Sequence, residues 1–155
     1  MRLFYAYNKT HGKLSDQHCI MSHINHEQRE MPRYILTLAS FNGFLVVALG
    51  AFGAHALEAI VDEKAIDVYE TGVQYHLFHT LALLGNGLLA SQQPTQKLFC
   101  IPAGLFAAGI ILFAGSLYLF SVTGLTWLGF ITPIGGLAFL SGWATLAWLT
   151  FSSDA

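Results

Sequence analysis

The stretch from Leu98 to Ser153 runs for 56 residues without an Asp, Glu, Lys or Arg. A soluble domain of this size must expose much of its sequence to water and cannot hide so long a run. Two further charge-free runs precede it, Tyr34–Leu57 with 24 residues and Thr71–Gln96 with 26. About 20 apolar residues in helical form cross the roughly 30 Å hydrocarbon layer of a bilayer. The long run divides at Ser121-Val122-Thr123-Gly124, so the sequence predicts four spans, near 34–57, 71–90, 98–122 and 125–151.

In lipid every backbone donor and acceptor must be satisfied within the protein, which leaves helices or closed barrels. Barrel strands would be about ten residues long with alternating polarity, whereas these runs are longer and continuous. The predicted fold class is therefore all-α, an integral membrane four-helix bundle forming one domain over 31–155. Charged residues make up 10% of the chain, against about 25% in ordinary soluble domains. The net charge of −2 gives no basic surface, so no nucleic-acid partner is expected; the bilayer itself is.

Residues 1–30 differ from the rest. They are polar, contain no apolar core that would make a signal peptide, and carry His11, His18, His23 and His26 at irregular spacing. The spacing does not specify a metal site, and the segment is read as a disordered extension. Met31-Pro32-Arg33, followed directly by an apolar run, also reads as a natural translation start. Cys19 and Cys100 form no ligand motif or disulfide framework.

Lys and Arg sort the connections. Arg2, Lys9, Lys13, Arg29 and Arg33 precede the first span and Lys97 lies between the second and third, against only Lys64 on the opposite side. The positive-inside rule then places both termini in the cytoplasm. The first outer loop, with Glu58, Asp62, Glu63, Asp67 and Glu70, has apolar residues at helical spacing and predicts a short surface helix. Trp127 and Trp148 suit interfacial anchoring. Small residues predict packing stripes: Gly50, Gly53 and Ala54; Gly104, Ala108 and Gly115; Gly135, Ala138 and Gly142. Pro133 predicts a kink in the fourth span.

The candidate site lies in the first two spans, which hold Asn42 and His55, then Gln74, Tyr75, His76, His79 and Asn86. Folding them as a hairpin about Lys64 sets residues whose numbers total 128 at one depth. Asn42 then meets Asn86 as an interhelical polar contact, and His55 comes near His76. Such groups either tie helices together or form a functional site. Three histidines with Glu58 or Glu70 could hold zinc, or His55 and His79 could ligate a haem iron. A proton path ranks below these, because the third and fourth spans offer no titratable chain. Ser40, Ser116 and Ser141 have neither a triad partner nor a nucleophile elbow, and no phosphate loop is present. No enzyme activity, catalytic residue or resident cofactor is assigned.

The motifs GAFGAH (Gly50–His55), TGVQYHLFHTLAL (Thr71–Leu83), FAGSLY (Phe113–Tyr118), ITPIGG (Ile131–Gly136) and GWA (Gly142–Ala144) occur in an order that resembles the DUF423 family. These are small bacterial inner-membrane proteins related to a eukaryotic four-span transmembrane protein, and the likeness covers roughly Met31 to Thr150. The resemblance implies four helices in the inner membrane and no defined molecular activity. His55 and His79 match its motifs, while His76 stands where the family usually has an amide such as Gln. A His55–His79 pair, alone or joined through water and Gln74, is what the resemblance leaves of the metal site. The reading is of a structural or accessory membrane protein with an unidentified membrane partner or self-association. Its alternative is a binder of a metal, haem or quinone headgroup through His55 and His79.

Overall fold

The computed structural model describes residues 30–92 and 96–152. The histidines and the alternative start read in the N-terminal extension lie outside or at the edge of that range. Four helices follow one another: α1 (Glu30–Leu57), α2 (Glu63–Ala90), α3 (Lys97–Thr123) and α4 (Thr126–Ser152). They form an antiparallel four-helix membrane bundle, with the α1–α2 turn and the α3–α4 connection at one end. Gly124 makes the second of these connections possible: its φ of 69° is left-handed, a conformation that costs a residue with a Cβ about 1–2 kcal/mol.

α1, α3 and α4 are each long and apolar enough to cross a bilayer on composition alone. α2 differs because Gln74, Tyr75, His76, His79, Thr80 and Asn86 dilute its apolar content. It occupies the hub, touching α1 through Gly87 and Leu36, α3 through Gly72 and Tyr118, and α4 through His79 and Trp143. Four of its polar side chains, His76, His79, Thr80 and Asn86, are buried against protein rather than lipid, the arrangement that makes polar groups tolerable at membrane depth. Gln74 and Tyr75 are exposed. α2 also begins earlier than the expected span. Asp62 caps it by accepting from the Ala65 amide at 2.8 Å, a normal N-cap bond. The expected surface helix is thus the first turns of α2 itself and not a separate element.

The hairpin register differs from the expected one. The pairs Leu36–Gly87, Gly43–Thr80 and Gly50–Val73 each total 123, and the bonded pairs Asn42–His76 and Leu49–Tyr69 total 118. The chain leaves α1 at Leu57 and enters α2 at Glu63, so the fold centres near Ile60 rather than Lys64. A shift of five to ten in the total moves every expected partner by more than one helical turn.

The α3–α4 seam interlocks large residues with small ones. Phe106 packs on Gly142, Phe139 on Gly109, and Phe113 on Gly135, and Ser116 Oγ lies 2.8 Å from Thr132 Oγ1. All four pairs total 248, a regular antiparallel register. A Cβ on Gly135 would collide with the Phe113 backbone. Gly135 and Gly142 behave as the small-residue stripe requires, but the α3 stripe does not. A Cβ added at Gly104 would meet no other side chain or element within 4 Å, and the packed glycine is Gly109. The seam matches a large side chain on one helix to a gap on the other, so small residues alone did not mark it.

Pro133 sits in the first turn of the α-helix Thr132–Ser152, after a tighter 3₁₀ turn over Thr126–Phe130. There its missing N–H is one that no helical carbonyl would accept. Pro133 starts the regular helix instead of kinking its middle. A π-turn interrupts α3 over Ile110–Ala114, and another ends α1 over Gly53–Leu57.

Candidate functional site

Two histidines on one face of α2 anchor separate polar clusters. His76, near the midpoint of α2, is 3% exposed. Its Nε2 lies 3.2 Å from Asn42 Oδ1, and its Nδ1 lies 3.2 Å from Tyr118 Oη. Asn42 Nδ2 donates to the Leu38 carbonyl at 2.8 Å, which fixes the amide with its oxygen toward the imidazole. His76 Nε2 must then carry the proton, and its Nδ1 accepts from the Tyr118 hydroxyl. Three helices meet in that line of bonds. Tyr118 also packs against Tyr69 with the rings tilted at 43° and their centroids 4.8 Å apart, and Tyr69 donates to the Leu49 carbonyl at 2.8 Å.

His79, three residues further along, carries the opposite tautomer. Its Nδ1 lies 2.8 Å from the Tyr75 carbonyl, so that nitrogen is the donor. Nε2 accepts from Trp143 Nε1–H at 3.3 Å. The ring stacks on Phe139 with centroids 3.4 Å apart and 9° between planes, with Phe106 tilted against it. This is an aromatic box joining α2, α3 and α4. Both imidazoles spend both ring nitrogens within the bundle.

The other candidates fall elsewhere. Asn86 is fully buried and donates through Nδ2 to the Phe99 carbonyl at 2.9 Å, fastening α2 to the start of α3. Its Oδ1 has no partner among the described residues. Asn42 and Asn86 therefore do not pair; each reaches a different helix, as the shifted register requires. His55 is exposed near the end of α1. In the observed register it lies level with residues about 13 positions before His79, roughly 20 Å away along α2 at 1.5 Å per residue. The structure does not bring His55 and His79 together. Gln74 lines a cavity of about 360 Å³ at the turn end, with Glu58, Tyr69 and Glu70. Among the described residues no group of three His, Cys, Asp or Glu is placed to hold a metal ion.

Tyr118 and Trp143 were missed as partners of the histidines. Their signal was present: each is an aromatic residue with a polar tip inside an apolar helix, where that tip normally finds a partner.

A second cavity, of about 500 Å³, lies between the helices beside the α3 π-turn, with Asn42, His76 and Tyr118 among its lining residues. Its other walls are almost entirely apolar.

Comparison with known proteins agrees with this architecture. A family described as a protein of unknown function, DUF423, matches residues 49–136. The UPF0382 membrane protein YwdK of Bacillus subtilis is 44% identical over 111 residues, covering 72% of this chain and 90% of that protein. A UPF0382 membrane protein of Haemophilus influenzae is 42% identical over 125 residues, covering 81% and 99%. The UPF0382 inner membrane protein YgdD of Escherichia coli K12 is 41% identical over 114 residues, covering 74% and 86%. No solved structure matches the chain. Helices apolar enough to span a bilayer and relatives that are membrane proteins across most of their length lead to one conclusion: the chain is an integral membrane protein of the DUF423 family.

Proposed function

We propose that this protein is a structural or accessory component of the bacterial inner membrane, acting through protein contacts rather than through chemistry of its own. The observation that carries the reading is the use made of the buried imidazoles. Metal ligation needs a free ring nitrogen lone pair, and both His76 and His79 commit theirs to neighbours on other helices. Interhelical bonds of this kind hold a bundle together where the hydrophobic effect offers little.

The orientation that suits this role has both ends of the bundle's chain in the cytoplasm. Arg33 and Lys97 lie at one end and the acidic turn around Glu58 and Asp62 at the other. The outward faces of α1 and α4, with Phe44 and Val47 on one and Leu137 and Leu140 on the other, are apolar and exposed. They supply the contact area for a second copy or another membrane protein.

In-membrane photocrosslinking from Phe44, Val47, Leu137 and Leu140 at native expression tests the reading. An accessory role predicts a discrete crosslinked protein product from at least one face. Crosslinks to lipid alone from all four positions would overturn it.

A further inference from the structure

The cavity beside the α3 π-turn has a composition that selects for one kind of occupant. Ile111 and Leu119, which line it, are 70% and 56% exposed, so the cleft opens sideways from the bundle toward the acyl chains. Leu45, Ile110 and Leu128 extend the apolar wall. Its polar floor is Asn42, His76 and Tyr118, with Ser116 also in the lining but its hydroxyl already bonded to the Phe113 carbonyl and to Thr132. Asn42 and His76 sit near the midpoints of their helices. No Asp, Glu, Lys or Arg is among the described residues lining it. The volume of about 500 Å³ lies within the usual range for small-molecule sites. π-turns such as Ile110–Ala114 recur at functional sites.

The hydrogen bonds of the floor leave a defined residual capacity. Asn42 has two amide hydrogens and gives one to Leu38. Tyr118 gives its only hydrogen to His76 and keeps its oxygen lone pairs. The floor can therefore donate one hydrogen bond and accept another. It offers no charge to balance an ionic headgroup, which is costly at this depth.

We propose that this cleft binds the headgroup of a membrane-dissolved quinone, an uncharged carbonyl-bearing ring on a long apolar tail. Asn42 donates to a ring carbonyl, and Tyr118 accepts from the hydroxyl of the reduced form. His76 is a positioning residue that holds both through its two ring nitrogens. The tail leaves between Ile111 and Leu119. A phospholipid is a poorer occupant, because its charged head would have to leave the interface for a site without a counter-charge. This site goes beyond the accessory role and stands or falls independently of any protein partner.

The test is titration of the purified full chain with a decyl-tailed benzoquinone, read by native mass spectrometry, with thermal stability measured in parallel. Wild type is expected to take up one equivalent saturably. Tyr118→Phe, which keeps the ring against Gly72 and Tyr69, should bind the quinol made by reducing that benzoquinone about tenfold more weakly, through loss of the acceptor for its hydroxyl. Ile111→Trp, at an exposed wall position, should abolish uptake while leaving the melting temperature unchanged. If Tyr118→Phe fails to fold, the Ile111→Trp result alone decides. The proposal is overturned by the absence of saturable uptake, by uptake that Ile111→Trp leaves intact, or by equal uptake of decane, which has no headgroup to read. A co-purifying phospholipid that the quinone does not displace would overturn it too.

Discussion

Asn42 on α1 and His76 on α2 share a hydrogen bond of 3.2 Å in the middle of the bundle, and each is held in place by a further bond on its other side. The Leu38 carbonyl sets the Asn42 amide, the amide sets the imidazole tautomer, and the imidazole sets the Tyr118 hydroxyl. One peptide carbonyl on α1 thus specifies the polarity of a chain of bonds reaching α3.

A double-mutant cycle on Asn42→Ala and His76→Ala measures that coupling. Interhelical bonds in membranes average about 0.6 kcal/mol and reach about 1.7. The coupling is expected near the upper part of that range, because both groups are almost fully buried. Reversible unfolding in mixed micelles gives the four stabilities; a coupling near zero would mean that the two side chains do not communicate.

The α3–α4 seam makes a sharper prediction from two glycines. Gly135→Ala forces a methyl into the Phe113 backbone and should destabilise by about 1–3 kcal/mol, as overpacking generally does. Gly104→Ala meets no other side chain or element within 4 Å and should be neutral or stabilising by up to about 1 kcal/mol through helix propensity. Melting temperatures of the two variants check the seam directly. Equal effects would contradict the packing described.

The proposed orientation is open to thiol labelling. With Cys19 and Cys100 replaced by Ala, Ala59→Cys in the α1–α2 turn should react with a membrane-impermeant maleimide in intact spheroplasts. Ser152→Cys should react only after permeabilisation. The reverse pattern would invert the bundle.

How much of this was legible in the sequence depends on the kind of information each feature carries. The absence of charge from Leu98 to Ser153 is a property of composition, and the number and class of the helices follow from it. The pairing of residues is a property of register, and register hangs on where the α1–α2 turn closes. Leu57, Glu58 and Asp62 could each belong to turn or helix. Placing the fold at Lys64 rather than near Ile60 was enough to pair Asn42 with Asn86 and to bring His55 close to the α2 histidines. The aromatic box was hidden for another reason. Phe106, Phe139 and Trp143 look like ordinary lipid-facing bulk until the glycines opposite them, Gly142 and Gly109, are seen as the gaps they fill.

The clearest contrast in the bundle is between its two α2 histidines, and nitrogen-15 spectroscopy of their imidazoles in lipid bilayers at neutral pH reads it most directly. The hydrogen-bond geometry predicts two neutral rings in opposite tautomers, with the proton on Nε2 of His76 and on Nδ1 of His79, and neither shifted by added zinc or haem. Histidines that serve as helix ties have no lone pair to offer. A charged ring, a shared tautomer, or a nitrogen shifted by the added metal would contradict the account and return these residues to the role of ligands.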